Sequence, residues 1–289
     1  MIHTNLVILA GGASSRMKKQ LQSSGNLSSE EVAQANTRSK GLISIDGSGR
    51  PLMDYLLYHA QKAGYKTIYI ITGEDNSLFK SFYGEKNSGN IYNGLTIHFA
   101  TQFIPKDRVK PFGTADALWQ AMEQYPELKT KAFTVCNSDN LYSIEALKLM
   151  RTSDSNNALV SYDRDGLKYS ADRIARFALM QFNQSNELMG IKEKPTVFEV
   201  DSYRDSYGKL RVSMNIFSFY GAEFYEFVRD CEVHPKRNEK ELPSAIMAMI
   251  RSGKGKVEGV PYFGHVPDLT SKDDIIILKE YVATINLSN

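Results

Sequence analysis

Across its first 150 residues the chain alternates short β-branched runs with stretches of helical period, and no other feature restricts its fold as much. Residues 6–10, 67–72, 95–100 and 132–136 read as strands. Interleaved with them, residues 52–63, 77–83, 114–124 and 143–150 read as helices, the first with Tyr55, Leu56 and His59 along one side. Such alternation makes a parallel sheet with helices on both faces. Ligands of these sheets bind beyond the carboxyl ends of the strands. The residues just after each strand are therefore the candidates for chemistry.

The second half changes character. Residues 158–162, 174–182, 188–192 and 210–220 are strand-like with little helix between them, which predicts antiparallel additions to the sheet. Helices are expected at 222–228 and 242–250, then a strand at 257–261 and a helix at 273–283. No low-complexity linker divides the halves and no internal repeat is evident. The expectation is one α/β domain over 1–289, with a Rossmann-like, mainly parallel sheet, flanking helices and an added antiparallel region. One segment breaks the pattern: residues 18–38 are polar and rich in Ser, Asn and Gln, with a short helix expected at 29–35. Polar loops of this length are commonly functional or disordered.

With 42% hydrophobic and 24% charged residues among 289, the chain can bury a sizeable core. A formal net charge of +2 supplies no long-range attraction to nucleic acid or to an anionic membrane, and neither is expected as a partner. Any bound anion has to be held by local groups. Cys136 and Cys231 lie far apart in dissimilar surroundings and read as reduced, buried thiols; no CxxC or His-rich cluster suggests zinc. The apolar run at 6–10 is too short for a signal-peptide core, and no stretch approaches the ~18 apolar residues of a membrane span. A cytoplasmic protein is expected. The sequence leaves oligomeric state open, a homo-oligomer included.

The first strand stops on Gly11 and Gly12, in the run LAGGASSRM. Glycine lets the backbone turn sharply and lets a ligand reach the amides without meeting a Cβ. Consecutive N–H groups in such a turn form an anion-binding concavity. Arg16 adds a fork of donors suited to phosphate oxygens. The turn therefore reads as a phosphate-binding loop. It is not the GxxxxGK[ST] loop of the P-loop ATPases, nor the GxGxxG dinucleotide fingerprint, whose third glycine it lacks.

LAGGASSRM resembles the signature of the sugar-phosphate nucleotidyltransferases, the NDP-sugar pyrophosphorylases of the GT-A-like superfamily, written LAGGxGTRL or LAGGxxxRM. The family pattern continues with a lysine in PKPLLPI and then a helix. Here Ser39-Lys40-Gly41-Leu42-Ile43-Ser44-Ile45 precedes the helix at 52. Lys40 takes the place of the family's phosphate-contacting lysine, Ser39 stands where the family has proline, and the intervening loop is longer. FGTADALWQA, residues 112–121, resembles the GTAxA segment that meets the nucleotide base, with Gly113 allowing close approach and Thr114 available to cap the helix. Gln102 resembles a glutamine that reads the base edge. VCNSDNLYS resembles the metal-binding segment, with Asp139 at the strand tip, and PDLTSKDDI resembles the segment that supplies a second metal carboxylate, Asp268. GIKEKP resembles the family's EEKP, in which Glu193 would hold sugar hydroxyls and Lys194 the sugar phosphate. Asn215, in VSMNIFSF, matches an asparagine near the sugar.

The resemblance implies a nucleotide-binding part over about 1–150, carried by Leu9, Ala10, Gly11, Gly12, Gln102, Gly113 and Thr114, and a sugar-phosphate part over about 151–289. It implies a reaction between an NTP and a sugar 1-phosphate, with Arg16, Lys40 and Asp139 catalytic and Mg²⁺ on Asp139 and Asp268. Asp273 and Asp274 read as first-turn residues of the last helix, stabilised by its dipole. A cytidylyltransferase acting on a non-sugar phosphate such as phosphocholine, and a nucleotide-binding regulatory protein without turnover, remain alternatives. Base and sugar are left open.

Overall fold

The computed structural model describes residues 2–19, 27–193 and 195–287. The opening strand β1 (Asn5–Leu9) is apolar through its interior because both of its faces are covered: Leu6 and Ile8 point into one layer and Val7 into the other. Helices α1 (Ser15–Lys19), α2 (Ser29–Thr37) and α3 (Leu52–Ala63) follow. The Ser28 hydroxyl accepts from Glu31 N while the Glu31 carboxylate accepts from Ser28 N, a reciprocal cap that starts α2. α3 ends at Gly64, whose φ of +98° turns the chain so that Tyr65 N donates back to the Ala60 carbonyl at 3.1 Å. Of the long polar loop, residues 20–26 lie outside the described residues.

Next come β2 (Thr67–Thr72), α4 (Ser77–Tyr83), β3 (Asn90–Tyr92), β4 (Leu95–Thr101), α5 (Thr114–Gln124), β5 (Ala132–Asn137) and α6 (Ile144–Thr152). Strands β4, β2, β1 and β5 lie side by side and run parallel, with β3 antiparallel at the edge. From β1 the chain builds outward to β2 and β4 on one side and to β5 on the other. The order therefore reverses beside β1, and a crevice opens at the carboxyl ends of β1 and β5. Leu56 and Leu147 pack on one face of this sheet, and Leu118, Phe224 and Ile246 on the other. Each such fully buried side chain contributes about 1.5–3 kcal/mol.

The second half adds β6 (Ala158–Asp163), α7 (Ala171–Ile174), β7 (Leu179–Phe182), β8 (Leu188–Lys192), α8 (Val197–Val200), β9 (Arg211–Val212), β10 (Ile216–Tyr220), α9 (Gly221–Arg229), α10 (Leu242–Ser252), β11 (Glu258–Tyr262) and α11 (Asp273–Val282). β10 runs antiparallel between β5 and β6, β9 antiparallel between β6 and β7, and β11 parallel beside β6. The mixed sheet with flanking helices is the architecture expected from the sequence.

Two expected strands are cut short. Residues 174–182 pair only from Leu179, because the ladder with β8 ends at Leu179↔Lys192; the preceding residues instead close helical bonds within α7 and the turn after it. The run 210–220 is interrupted between β9 and β10. Val212 lies opposite Tyr162 and Phe217 opposite Leu159, so the line carries two more residues than its partner. Asn215 sits in this bulge with φ +57°. It is exposed there rather than buried within a strand. The bulge is pinned by the buried Tyr142 hydroxyl, which donates to the carbonyls of Met214 (2.7 Å) and Asn215 (3.1 Å).

His3 is buried beside Ser218 and Thr134, its Nε2 3.2 Å from Ser218 Oγ. Burial pushes its pKa down from 6.5 to about 4. The folded state therefore binds this proton less readily than the unfolded chain. The neutral ring's full stability is present above pH 6.5 and falls as pH drops from there to about 4. Between pH 6.5 and 5 the expected loss from this group is about 2 kcal/mol. Urea titrations of the wild type and of His3→Gln at both pH values check this: the variant should show a smaller acid-induced loss.

Candidate active site

The glycine turn begins where β1 ends. Ala10 N donates to Ile71 O at 2.8 Å, keeping the chain against β2 for one residue beyond the strand. A Cβ on Gly11 would lie 3.3 Å from both Gln102 Oε1 and the Thr72 carbonyl carbon, whereas one on Gly12 would meet nothing within 4 Å. Gly11 therefore answers a close approach of neighbouring chain, and Gly12 leaves the turn open on its outer side. Ser14 takes φ +54°, and α1 follows, anchored by the buried Met17. Arg16, on α1, lines the cavity described below and forms no ion pair among the described residues.

The Ser39-Lys40 segment is fastened to this turn, since Ser39 Oγ donates to Ala10 O at 3.2 Å. Lys40 opens a 3₁₀ turn, and its Nζ lies 2.9 Å from Asp139 Oδ2. Gly41 makes that reach feasible: a Cβ there would stand 3.1 Å from Ser138 Cβ and 3.2 Å from Ser138 O. The turn lies directly on the residue before Asp139.

Asp139 and Asp268 come together through the backbone. Leu269 N donates to Asp139 O at 2.8 Å and Leu141 N to Pro267 O at 2.9 Å, an isolated antiparallel bridge that sets Asn140 opposite Asp268. Asp268 Oδ2 accepts from Thr270 Oγ1 (2.6 Å) and from Arg173 Nη2 (2.7 Å). Burial, then the neighbouring Asp139 charge, raise the Asp268 pKa despite these donors. Arg173 Nη1 also pairs with Asp274, whose other oxygen accepts from Thr270 N, Ser271 N and Ser271 Oγ. Asp274 is thus part of this ionic network as well as of the first turn of α11.

These groups border a cavity of about 770 Å³, within the size range of small-molecule sites. Leu9, Asn137 and Asp139 form its floor at the carboxyl ends of β1 and β5, and Asp268 and Asp274 adjoin them. Ser213, Met214 and Asn215 of the bulge form one wall; Phe177, Ile191 and Glu193 belong to the side built by β7 and β8. Thr114, Arg237, Glu241 and Leu242 also line it.

The segment around Gly113 has a second occupant. Gly113 has φ +112°, and a Cβ on it would fall 2.2 Å from Lys240 O. Lys240 N donates to Phe112 O and Ala115 N to Lys240 O, so the start of α10 is docked on residues 112–115. Thr114 does not cap its own helix; its hydroxyl accepts from Leu242 N at 3.0 Å and so caps α10. Gln102 is buried, donating to Gly113 O (3.0 Å) and Asp116 Oδ2 (2.9 Å), with its carbonyl oxygen facing Gly11. It ties the glycine turn to the 113 segment and does not border the cavity.

The structure thus gathers Leu9, Arg16, Thr114, Asp139, Glu193, Asn215 and Asp268 on one cavity. Ala10, Gly11, Lys40, Gln102 and Gly113 lie behind this lining, Gly12 is exposed in the turn beside Arg16's helix, and Lys194 lies outside the described residues. Glu193 is held by Arg237, which also pairs with Glu241. Sequence reading missed Arg173 and Arg237. Arg173 falls just before a segment read as strand, and Arg237 falls in the charge-rich run HPKRNEKE, which offers no periodicity.

The family model described as nucleotidyl transferase matches residues 34–261, well over half of the chain, and the chain belongs to that family. The match begins after the glycine turn. Among curated proteins, glucose-1-phosphate adenylyltransferase 1 of Vibrio vulnificus (strain YJ016) is 25% identical over 196 residues, 66% of this chain and 43% of the relative. The glucose-1-phosphate adenylyltransferase of Aliivibrio fischeri (strain MJ11) is 24% identical over 194 residues, with the same coverage. That of Bacillus cereus (strain Q1) is 21% identical over 267 residues, 91% of this chain and 63% of the relative. The chain therefore matches less than two thirds of the length of these relatives.

Gly113→Ala combines a left-handed backbone with a Cβ forced into the Lys240 carbonyl. Its expected cost is about 2–5 kcal/mol, read as a lower urea midpoint, together with faster proteolysis of the loop before α10.

Proposed function

We propose that the chain condenses an NTP with a sugar 1-phosphate to give an NDP-sugar and pyrophosphate. The observation that carries this reading is the backbone bridge between Asn140 and Asp268, which with the Leu269 N to Asp139 O bond sets Asp139 beside Asp268 on a cavity at the carboxyl ends of β1 and β5 that Arg16 also borders. A sugar phosphate oxygen would attack the α-phosphorus of the NTP, and the bond from that phosphorus to the oxygen bridging it to the β-phosphate would break. The nucleophile is already anionic, so no general base is required. Positioning and charge neutralisation would dominate the rate enhancement.

Asp139 and Asp268 fit Mg²⁺ by their donor chemistry. Magnesium takes hard oxygens, typically one or two carboxylates, with water and substrate phosphate oxygens completing its shell. Such an ion would neutralise phosphate charge. Arg16 would hold phosphate oxygens beside the glycine turn, whose amides at Gly11 and Gly12 add donors. Lys40, with its Nζ 2.9 Å from Asp139 Oδ2, adds positive charge at the same point. On the sugar side Glu193 and Asn215 would meet hydroxyls and Lys194 the phosphate; for Glu193 this means leaving Arg237.

Since these relatives are glucose-1-phosphate adenylyltransferases, ATP and glucose 1-phosphate are the first pair to assay. No helix of the described residues is long and apolar enough to cross a membrane. Cys136 and Cys231 are both buried and unbridged, which supports the reading of a reducing, cytoplasmic setting.

Pyrophosphate exchange over a panel of nucleotide sugars tests the reading. Label entering an NTP in the presence of Mg²⁺ supports it, and tight nucleotide binding without exchange would favour a regulatory protein. Asp139→Asn should lower the exchange rate by roughly a thousandfold or more, with its melting temperature measured alongside; near-normal exchange removes Asp139 from the mechanism.

A further inference from the structure

Arg173 lies between two acids at the cavity. Its Nη2 donates to Asp268 Oδ2 at 2.7 Å and to Asp268 O at 3.2 Å, and its Nη1 pairs with Asp274 Oδ1 at 2.5 Å. The guanidinium carbon sits 4.3 Å from the centroid of the Tyr169 ring, which braces its face. Tyr169 in turn packs on Phe177 and donates to Val266 O, so the support reaches both sides of the site. A planar fork is needed here, because one cation spans two carboxylates on different turns.

Asp139, Asp268 and Asp274 bring three acids to one end of the cavity. Withdrawing an ionised carboxylate from water without a partner is costly. Lys40 serves Asp139 and Arg173 serves the other two. We propose that Arg173 is a resident counter-cation of the metal site, holding Asp268 and Asp274 while no divalent ion is bound and giving up part of its hold on Asp268 when one binds. The inference rests on the reading of Asp268 as a metal carboxylate. Arg173 acts through Asp268 and is a positioning residue. Because its charge competes with the ion, the site binds a divalent cation more weakly than two unpaired aspartates would.

The test uses the full chain without nucleotide, with Mn²⁺ as the probe read by electron paramagnetic resonance and calorimetry. Arg173→Gln removes the charge and should tighten Mn²⁺ binding on the order of tenfold. It should also lower the metal-free melting temperature, and Mn²⁺ should restore more of that loss than it adds to the wild type. Arg173→Lys keeps the charge and should remain within roughly threefold of the wild-type affinity. A folded Arg173→Gln that binds Mn²⁺ no more tightly than the wild type overturns the inference and leaves Arg173 a structural brace. If Arg173→Gln is unfolded without metal, refolding by Mn²⁺ supports the proposal and failure to refold overturns it. Asp268→Asn separates the two levels. Unchanged Mn²⁺ affinity in that variant removes Asp268 from the metal site. Weakened affinity there, with no tightening in Arg173→Gln, defeats only the role of Arg173.

Discussion

Two amide hydrogen bonds, Leu269 N to Asp139 O and Leu141 N to Pro267 O, join the loop after β5 to the loop before α11. Side chains alone would give the same two acids an approximate meeting; backbone bonds on either side of Asn140 and Asp268 fix where both Cα atoms lie. Everything around the site accommodates that constraint. Two carboxylates held together repel, and the raised pKa of Asp268 is the mark of that repulsion added to burial. The fold answers with cations from elsewhere in the chain, Lys40 from beside the first strand and Arg173 from within α7.

This arrangement explains how a chain of net charge +2 can present a strongly ionic site. Charges at the cavity are largely balanced in place: Lys40 with Asp139, Arg173 with Asp268 and Asp274, Arg237 with Glu193 and Glu241. Among the described ion pairs, Arg16 and Arg176 of the cavity have no acidic partner. Groups ordered before substrate arrives need little reorganisation during reaction, which is where electrostatic preorganisation gains its effect. Pairing has an opposing consequence, since any ligand group that took the place of one partner would first have to loosen that ion pair.

The glycines show how one residue type serves different neighbours. Gly11 admits the end of β2 and the Gln102 side chain, Gly41 admits Ser138, and Gly113 admits the Lys240 carbonyl. In each case the close approach is made by this chain itself. Gly12, with nothing within 4 Å of its missing Cβ, is the one of these four whose freedom faces open space. Gln102, read from the sequence as a base contact, and Thr114, read as a helix cap in the nucleotide-binding part, hold the supporting layer together. Thr114 does so while still bordering the cavity.

Local pattern was enough for most of the elements. The bounds of α3, β2, α4, α5 and β8 could be read directly, because each is a run whose period and end signals come from its own residues. Candidate residues at strand ends could be named from their types alone, since glycine, arginine and aspartate after a strand suit phosphate and cation chemistry. The tertiary structure decided what depends on partners. β7 starts late because β8 ends, and the 210–220 run bulges because β6 is two residues shorter across that interval. Arg173 and Arg237 become site residues only because distant acids arrive beside them. A sequence states what each residue can offer, and only the folded chain determines which residue receives it, since hydrogen bonds and ion pairs are properties of distance between segments.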